Sequence, residues 1–275
     1  MTRIALFQMT SGIDPTENAL AINDAIAQAA GGGAAILFTP EMSNLIDRDR
    51  ARAVLSVRSE DDDPVLAAAR AAAADHGIWV HLGSLALRGA GGKFVNRAFV
   101  IDAKGAILAR YDKLHLFDVD LPTGESWRES AAYVRGEGAV VVSTPVGATG
   151  LSICYDLRFA DLYRALSNAG ATVFTVPAAF TRPTGEAHWH ILLRARAIES
   201  GAFVIAAAQT GNHADGRATY GHSLVIDPWG EILLDMDEPE GVGFADIDLA
   251  RVADVRARVP VISHRRLIPA VEVVA

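Results

Sequence analysis

The sequence predicts an α/β fold: one domain over residues 1–275, with strands in a mixed sheet. Two observations carry this. Short apolar runs alternate with stretches of helical period along the whole chain, with no composition shift or low-complexity linker between them. Two strand pairs, near residues 94–111 and 222–235, are joined by turns too short for a crossover helix, so part of the sheet runs antiparallel.

The elements follow in order. Arg3 to Gln8 is a short apolar run that reads as a buried strand. From Thr16 to Ala30 the apolar positions Ala19, Ile22, Ala25, Ile26 and Ala29 fall on one helical face, and Gly31-Gly32-Gly33 ends the helix. The triple glycine follows a helix rather than a strand and precedes no Gly-Lys-Ser/Thr, which argues against a phosphate loop. Ala34 to Phe38 is a second strand, closed by Pro40, so that Glu41 lies just past its carboxyl end. An alanine-rich helix over 64–76 stops at Gly77. Strands then follow at 78–82, 94–101 and 106–111.

Lys113 stands just after the last of these, between Tyr111 and the apolar Leu114, Leu116 and Phe117. Residues 118–137 form a long loop rich in Gly, Pro and charge, and long loops within compact domains tend to be functional. After the strand ending near Ile153, the positions Phe159, Leu162, Tyr163 and Leu166 predict a helix that Gly170 terminates. A strand over 171–176 leads to Phe180. A loop through Thr184-Gly185 feeds a helix from Glu186 to Ser200. Strands at 202–209, 222–226, 231–235 and 243–247, a helix over 249–258, and an apolar, basic tail from Val259 complete the chain.

Composition narrows the function classes. With 51% hydrophobic residues in 275, the chain can bury a large core unaided. A single cysteine permits no internal disulfide and fits a reducing, cytoplasmic setting. No signal-like leader and no uncharged apolar run near ~20 residues is present, which points away from secretion and membrane spanning. A formal charge of -8 with scattered Lys and Arg argues against nucleic acid as a partner.

The single cysteine, Cys154, falls at a strand-to-helix elbow. There the partial positive charge of a helix N-terminus would favour its thiolate. A free cysteine is more often a small buried hydrophobe, so partners decide the matter. Glu41 and Lys113 share its address beyond strand carboxyl ends, where open α/β sheets carry ligands. A carboxylate can take a thiol proton, and a lysine can stabilise both thiolate and oxyanion. The histidines show no metal spacing: His188 and His190 are two apart on one helix, and no i, i+4 pair occurs. Neither a metal nor another cofactor is called for.

Pro40-Glu41, the run Tyr111 to Phe117 and the run Cys154 to Phe159 resemble the three signature segments of the nitrilase, or carbon–nitrogen hydrolase, superfamily. The resemblance covers essentially the whole chain. It implies a four-layer α-β-β-α sandwich with mixed sheets, no cofactor, and homodimers formed through the helical layers, with the C-terminal tail crossing to the neighbour. It also implies Glu41 as general base, Lys113 as oxyanion stabiliser, Cys154 as nucleophile, and Glu129 as a second glutamate that orients Lys113 or the substrate amine. The Tyr155 N–H would be a further oxyanion donor. Tyr155-Asp156 departs from the Trp-Glu of nitrile hydrolysers, and Leu157-Arg158 supplies half of the arginine pair of N-carbamoyl amino acid hydrolases. The stretches 180–199, 206–209 and 220–230 are most similar to the Nit branch, nearest its deaminated-glutathione amidases, with ω-amidases on α-ketoglutaramate as the close alternative. The implied substrate is a small carboxylate-bearing amide, with Arg158, Phe180 and Thr184 in its pocket. Arg158 can equally prop the elbow through an internal salt bridge. Acyl transfer to a nucleophile other than water, or a catalytically silent scaffold on the same fold, are the remaining readings.

Overall fold

The computed structural model describes residues 1–121, 124 and 126–274. Two sheets form its centre. In the first, the strands lie in the order Gly241–Ile247, Thr2–Gln8, Ile36–Phe38, Trp79–Arg88, Phe94–Ile101 and Ile107–Asp112, with Tyr133–Val134 paired alongside Phe94–Ile101. In the second the order is Ile232–Asp235, Leu224–Ile226, Phe203–Ala206, Val173–Thr175, Gly147–Leu151 and Val141–Thr144. Each sheet has a parallel centre and antiparallel margins. The mixed sheet expected from the two hairpins is therefore two mixed sheets, with one hairpin at the margin of each.

Period-two alternation sorts the side chains into layers. Ile4, Leu6, Ile36 and Phe38 point one way from the first sheet and pack against Val173, Phe203, Ile205 and Val225 of the second. Their neighbours Ala5, Phe7 and Leu37 point the other way, onto Ile22, Ile26, Val65 and Ala69 of the helices Pro15–Gly31 and Pro64–His76. The second sheet's outer face, through Phe174, Val204 and Leu224, carries Leu162, Tyr163, Trp189 and Leu193 of the helices Ala160–Asn168 and Arg182–Ser200. Strands apolar on both faces must be covered on both, and the outcome is the four-layer α-β-β-α sandwich.

Local chemistry sets several boundaries. Asp14 and Asp63 cap the first two long helices with side-chain oxygens, and Pro occupies the first turn of each. Gly77 takes the left-handed conformation that ends the second. The Arg182–Ser200 helix starts four residues earlier than the sequence suggested, so Thr184 and Gly185 lie in its first turn rather than in a loop. Pro183 favours that position, and the bare Gly185 admits the Tyr220 ring where a Cβ would collide with it. The 118–137 segment contains a short hairpin of Asp118–Asp120 and Ser126–Arg128, and Glu129 follows directly.

Candidate active site

Glu41 sits three residues beyond the strand Ile36–Phe38, on a turn that the adjoining strand holds in place. A bulge between Leu82 and Leu85 exposes Gly83 and Ser84 to it: Met42 N donates to Ser84 Oγ (3.0 Å) and Ser43 N to Ser84 O (2.8 Å). A Cβ at Gly83 would run into the Thr39 and Pro40 carbonyls, so only glycine permits this approach. From the other side Gln209 Nε2 donates to the Glu41 carbonyl at 2.9 Å. The side chain, 4% exposed, is held just as fully. Lys113 Nζ and Asn96 Nδ2 each donate to Oε1 at 2.9 Å, and Ala179 N donates to Oε2 at 3.0 Å.

Lys113 follows the strand Ile107–Asp112, which runs in the same sense as Ile36–Phe38, so the two residues leave the sheet at one edge. Its ammonium lies between two carboxylates: 2.9 Å from Glu41 Oε1, and 3.1 and 2.9 Å from Glu129 Oε1 and Oε2. Burial alone would strip its charge. Glu129 and Glu41 outweigh that penalty and hold the lysine well above its ordinary range. Glu129 is itself fixed by Phe117 N, which donates to Oε2 at 2.6 Å.

Cys154 approaches from the second sheet, three residues after Gly147–Leu151. Its φ of +47° is left-handed, a strained state for a residue with a Cβ, and its N–H donates to Pro177 O at 2.9 Å. The elbow differs from the expectation in one respect. Residues Cys154–Arg158 form a short 3₁₀ turn, and the α-helix begins only at Ala160. The helix terminus is thus displaced from the sulfur. Burial, reinforced by the Glu41 charge and opposed by Lys113, pushes the Cys154 thiol well above its ordinary range. That direction opposes the bias toward thiolate expected from a helix terminus.

Asp156 braces this turn. Its fully buried carboxylate accepts from Tyr111 Oη (2.7 Å), Ile153 N (2.9 Å) and His115 N (3.0 Å), with His115 Nδ1 at 2.7 Å. Asp156 therefore holds the segments around Lys113 and Cys154 together.

All eight residues picked out from the sequence line one cavity of about 610 Å³, a size suited to a small molecule. The Tyr155 ring meets Phe117 edge-on with centroids 5.1 Å apart. Arg158 lies over the Tyr155 and Phe180 rings, 5.9 and 5.5 Å from their centroids, and its guanidinium reaches His188 Nδ1 at 3.4 Å. Among the described residues it meets no carboxylate, so the internal salt bridge that could have explained it is not formed. Phe180 packs on Trp189, and the Thr184 hydroxyl is engaged with Thr181.

Sequence reasoning missed Asn96 and Ala179. Asn96 was readable as a lone amide on the inward face of an apolar strand; a backbone N–H leaves no such mark. Away from the cavity the fold brings together His190, His222 and Asp235, three groups from different segments that can ligate a cation, their ligand atoms within 4.8 Å of one another. The imidazoles lie 3.0 and 2.9 Å from separate oxygens of the carboxylate. Pairing across elements, rather than helical spacing, unites them.

Residues 3–257 match the family model described as carbon-nitrogen hydrolase. The chain belongs to the carbon–nitrogen hydrolase family. A mouse (Mus musculus) member, deaminated glutathione amidase, is 41% identical over 269 residues, covering 96% of this chain and 83% of that protein. The structure of the C. elegans NitFhit protein superposes with a TM-score of 0.89 at 39% identity, over 96% of this chain; the chain spans 65% of that longer protein. An amidase from Nesterenkonia sp. AN1, solved as a mutant with acrylamide added to its active-site cysteine, gives 0.78 at 30% identity, covering 94% of this chain and 98% of that one. Family membership makes this chain a hydrolase of carbon–nitrogen bonds other than peptide bonds. The sandwich is the family's fold. No described helix is long and apolar enough to cross a membrane.

Proposed function

We propose that this hydrolase is an amidase acting on deaminated glutathione through a thioester on Cys154. The observation that carries the reading is the buried Glu41–Lys113–Glu129 network lining the same cavity as the Cys154 thiol and the Arg158 guanidinium. In the first half-reaction the Cys154 sulfur bonds to the amide carbonyl carbon as Glu41 takes the thiol proton. The oxyanion faces the Lys113 ammonium and the Tyr155 N–H. Collapse breaks the C–N bond, and Glu41 returns the proton to the departing amine. Water then adds to the thioester while Glu41 removes its proton. The C–S bond breaks and the sulfur is reprotonated, releasing the acid. Glu129 keeps Lys113 in place, and the upward push of burial on the Cys154 thiol fits a nucleophile deprotonated only as it attacks.

Arg158 suits a carboxylate on the acyl side of the scissile bond, with Phe180 packing beside it. The 2-oxoglutaryl group of deaminated glutathione offers that carboxylate, as does α-ketoglutaramate, which is the second reading. The mouse relative's name favours the first. Release of ammonia from α-ketoglutaramate and of dipeptide from deaminated glutathione, measured side by side, tests the pair. Faster turnover of a nitrile in the same panel would overturn both. Hydroxylamine as a competing acceptor distinguishes transfer from hydrolysis.

A homodimer belongs to the same proposal. Ile191 and Ile198 on the outer helix and Leu267, Ile268 and Val271 in the tail expose apolar surface suited to a second copy. Light scattering that gives a monomer would contradict it.

A further inference from the structure

The cavity carries a second cationic position that the chemistry at Cys154 does not use. Arg217 lies in the tight turn between the strands Thr210–Asn212 and Ala218–Tyr220, where its own N–H donates to Asp215 Oδ1 at 2.9 Å and its carbonyl accepts from His213 N at 2.8 Å. Its guanidinium stacks over the Trp127 ring, 4.8 Å from the centroid. Both residues line the cavity that holds Cys154. Two of their donors are buried without an acceptor among the described residues, Arg217 Nε and Trp127 Nε1. Buried donors are seldom left unpaired, so this stacked pair on the cavity wall keeps hydrogen-bonding capacity that its protein neighbours do not use. Arg48 lines the same region and donates through Nε to Asp215 O at 2.6 Å, adding positive charge. Asp215 Oδ2, 3.2 Å from Arg217 Nη2, steadies the guanidinium.

This position is distinct from that of Arg158. Arg158 rests on Tyr155 and Phe180, whereas Arg217 rests on Trp127, so the two lie over different rings. An aromatic wall joins them, from Tyr155 to Phe117 (5.1 Å) and from Phe117 to Trp127 (6.3 Å). Glu129, two residues after Trp127, reaches back to Lys113. A dipeptide extended from the scissile nitrogen reaches roughly 7 Å. Deaminated glutathione has one carboxylate on each side of its scissile amide, while α-ketoglutaramate has one on the acyl side only.

We infer that Arg217, on its Trp127 platform, receives the terminal carboxylate of the leaving dipeptide and makes the enzyme selective for amides with an anionic leaving group. The inference rests on the proposed amidase reading and adds its leaving-group specificity. An uncharged leaving group gains nothing from Arg217, so the residue discriminates between substrates sharing one acyl group.

The test is the ratio of kcat/KM for deaminated glutathione to that for α-ketoglutaramate, with thermal midpoints as a folding control. In Arg217→Gln the ratio falls at least about tenfold, mainly through KM for the larger substrate, and Arg217→Lys recovers part of the loss. A second measurement uses the unaltered enzyme: converting the terminal carboxylate of deaminated glutathione to a carboxamide lowers its kcat/KM by a similar factor. An unchanged ratio in Arg217→Gln, or equal turnover of carboxylate and carboxamide, overturns the inference while leaving the amidase reading intact. Failure of the unaltered enzyme to hydrolyse deaminated glutathione overturns both.

Discussion

Lys113 Nζ lies 2.9 Å from Glu41 Oε1, and the two side chains are 3% and 5% exposed. With Glu129 on the other side, 11% exposed, one ammonium separates two carboxylates. Lys113→Met removes that cation and leaves the two carboxylates facing each other. The expected outcome is a fall in kcat of about a hundredfold to a thousandfold and a loss of about 3–5 kcal/mol of stability. Steady-state kinetics and a denaturant midpoint measure the two effects, and undiminished turnover would remove Lys113 from the chemistry.

Cys154→Ala should abolish turnover above background while keeping the fold, because it removes one buried sulfur from a core cluster made mostly of larger side chains. Wild-type protein quenched in acid during turnover should show a mass increase equal to the acyl group, absent from the variant. Residual turnover by the alanine protein would exclude the thioester.

The buried thiol should also titrate late. Burial and the Glu41 charge hold Cys154 above its ordinary range, so its thiolate fraction still climbs where a free cysteine has levelled off. Alkylation by iodoacetamide without substrate is therefore slow at neutral pH and still accelerating at about pH 9.5, above the free-thiol pKa of about 8.5. A rate plateau near pH 7 would mean a resting thiolate.

Asp156→Asn puts an NH₂ group among donors, since Tyr111, Ile153 and His115 all present hydrogens to this carboxylate. A loss of about 2–4 kcal/mol is expected, together with reduced kcat as the Cys154 turn loses its brace. Chemical denaturation and kinetics on the same preparation test it. A stable, fully active Asn variant would show that the brace is dispensable.

His81, 2% exposed beside Phe38, has neither ring nitrogen hydrogen-bonded, and burial pushes it down to about 3. The folded state keeps this imidazole neutral, while the unfolded chain protonates it near pH 6.5. Between those values the unfolded state binds the extra proton, so stability is lost as pH falls from about 6.5 toward about 3. In His81→Leu the thermal midpoint should fall less steeply over that window. Identical slopes would rule out His81 as a source of acid sensitivity.

The residues legible in the sequence share a property. Glu41, Lys113 and Cys154 are polar residues just past strand ends, where apolar periodicity stops and the chain must turn, so the pattern that marks the strands marks them too. Glu129 was found through resemblance, since a carboxylate in a charged loop carries no signal of its own. The helix beginning at Arg182 was placed late because Thr184-Gly185 resembles loop chemistry, although Pro183 is a first-turn signal. The elbow points to thiolate through a helix terminus that contributes a fraction of a charge, whereas burial beside Glu41, invisible in the sequence, pushes the thiol the other way. Asp156 has a structural part as well, tying the segment around Lys113 to the one around Cys154. Sequence separation hides that role, since Tyr111 and Asp156 are 45 residues apart.

Glu41 and Lys113 leave one sheet and Cys154 leaves the other, so the site straddles the apolar layer of Ile4, Phe38, Phe203 and Ile205 between them. That layer acts as a spacer gauge. A cavity or an extra methyl group opened there shifts one half of the reaction centre against the other, and a misfit of about 1 Å is enough to cost a hundredfold in rate. Side chains with no route to the substrate thus set the gap between sulfur and base. Selection on turnover would then discipline the sheet–sheet seam more tightly than selection on folding alone.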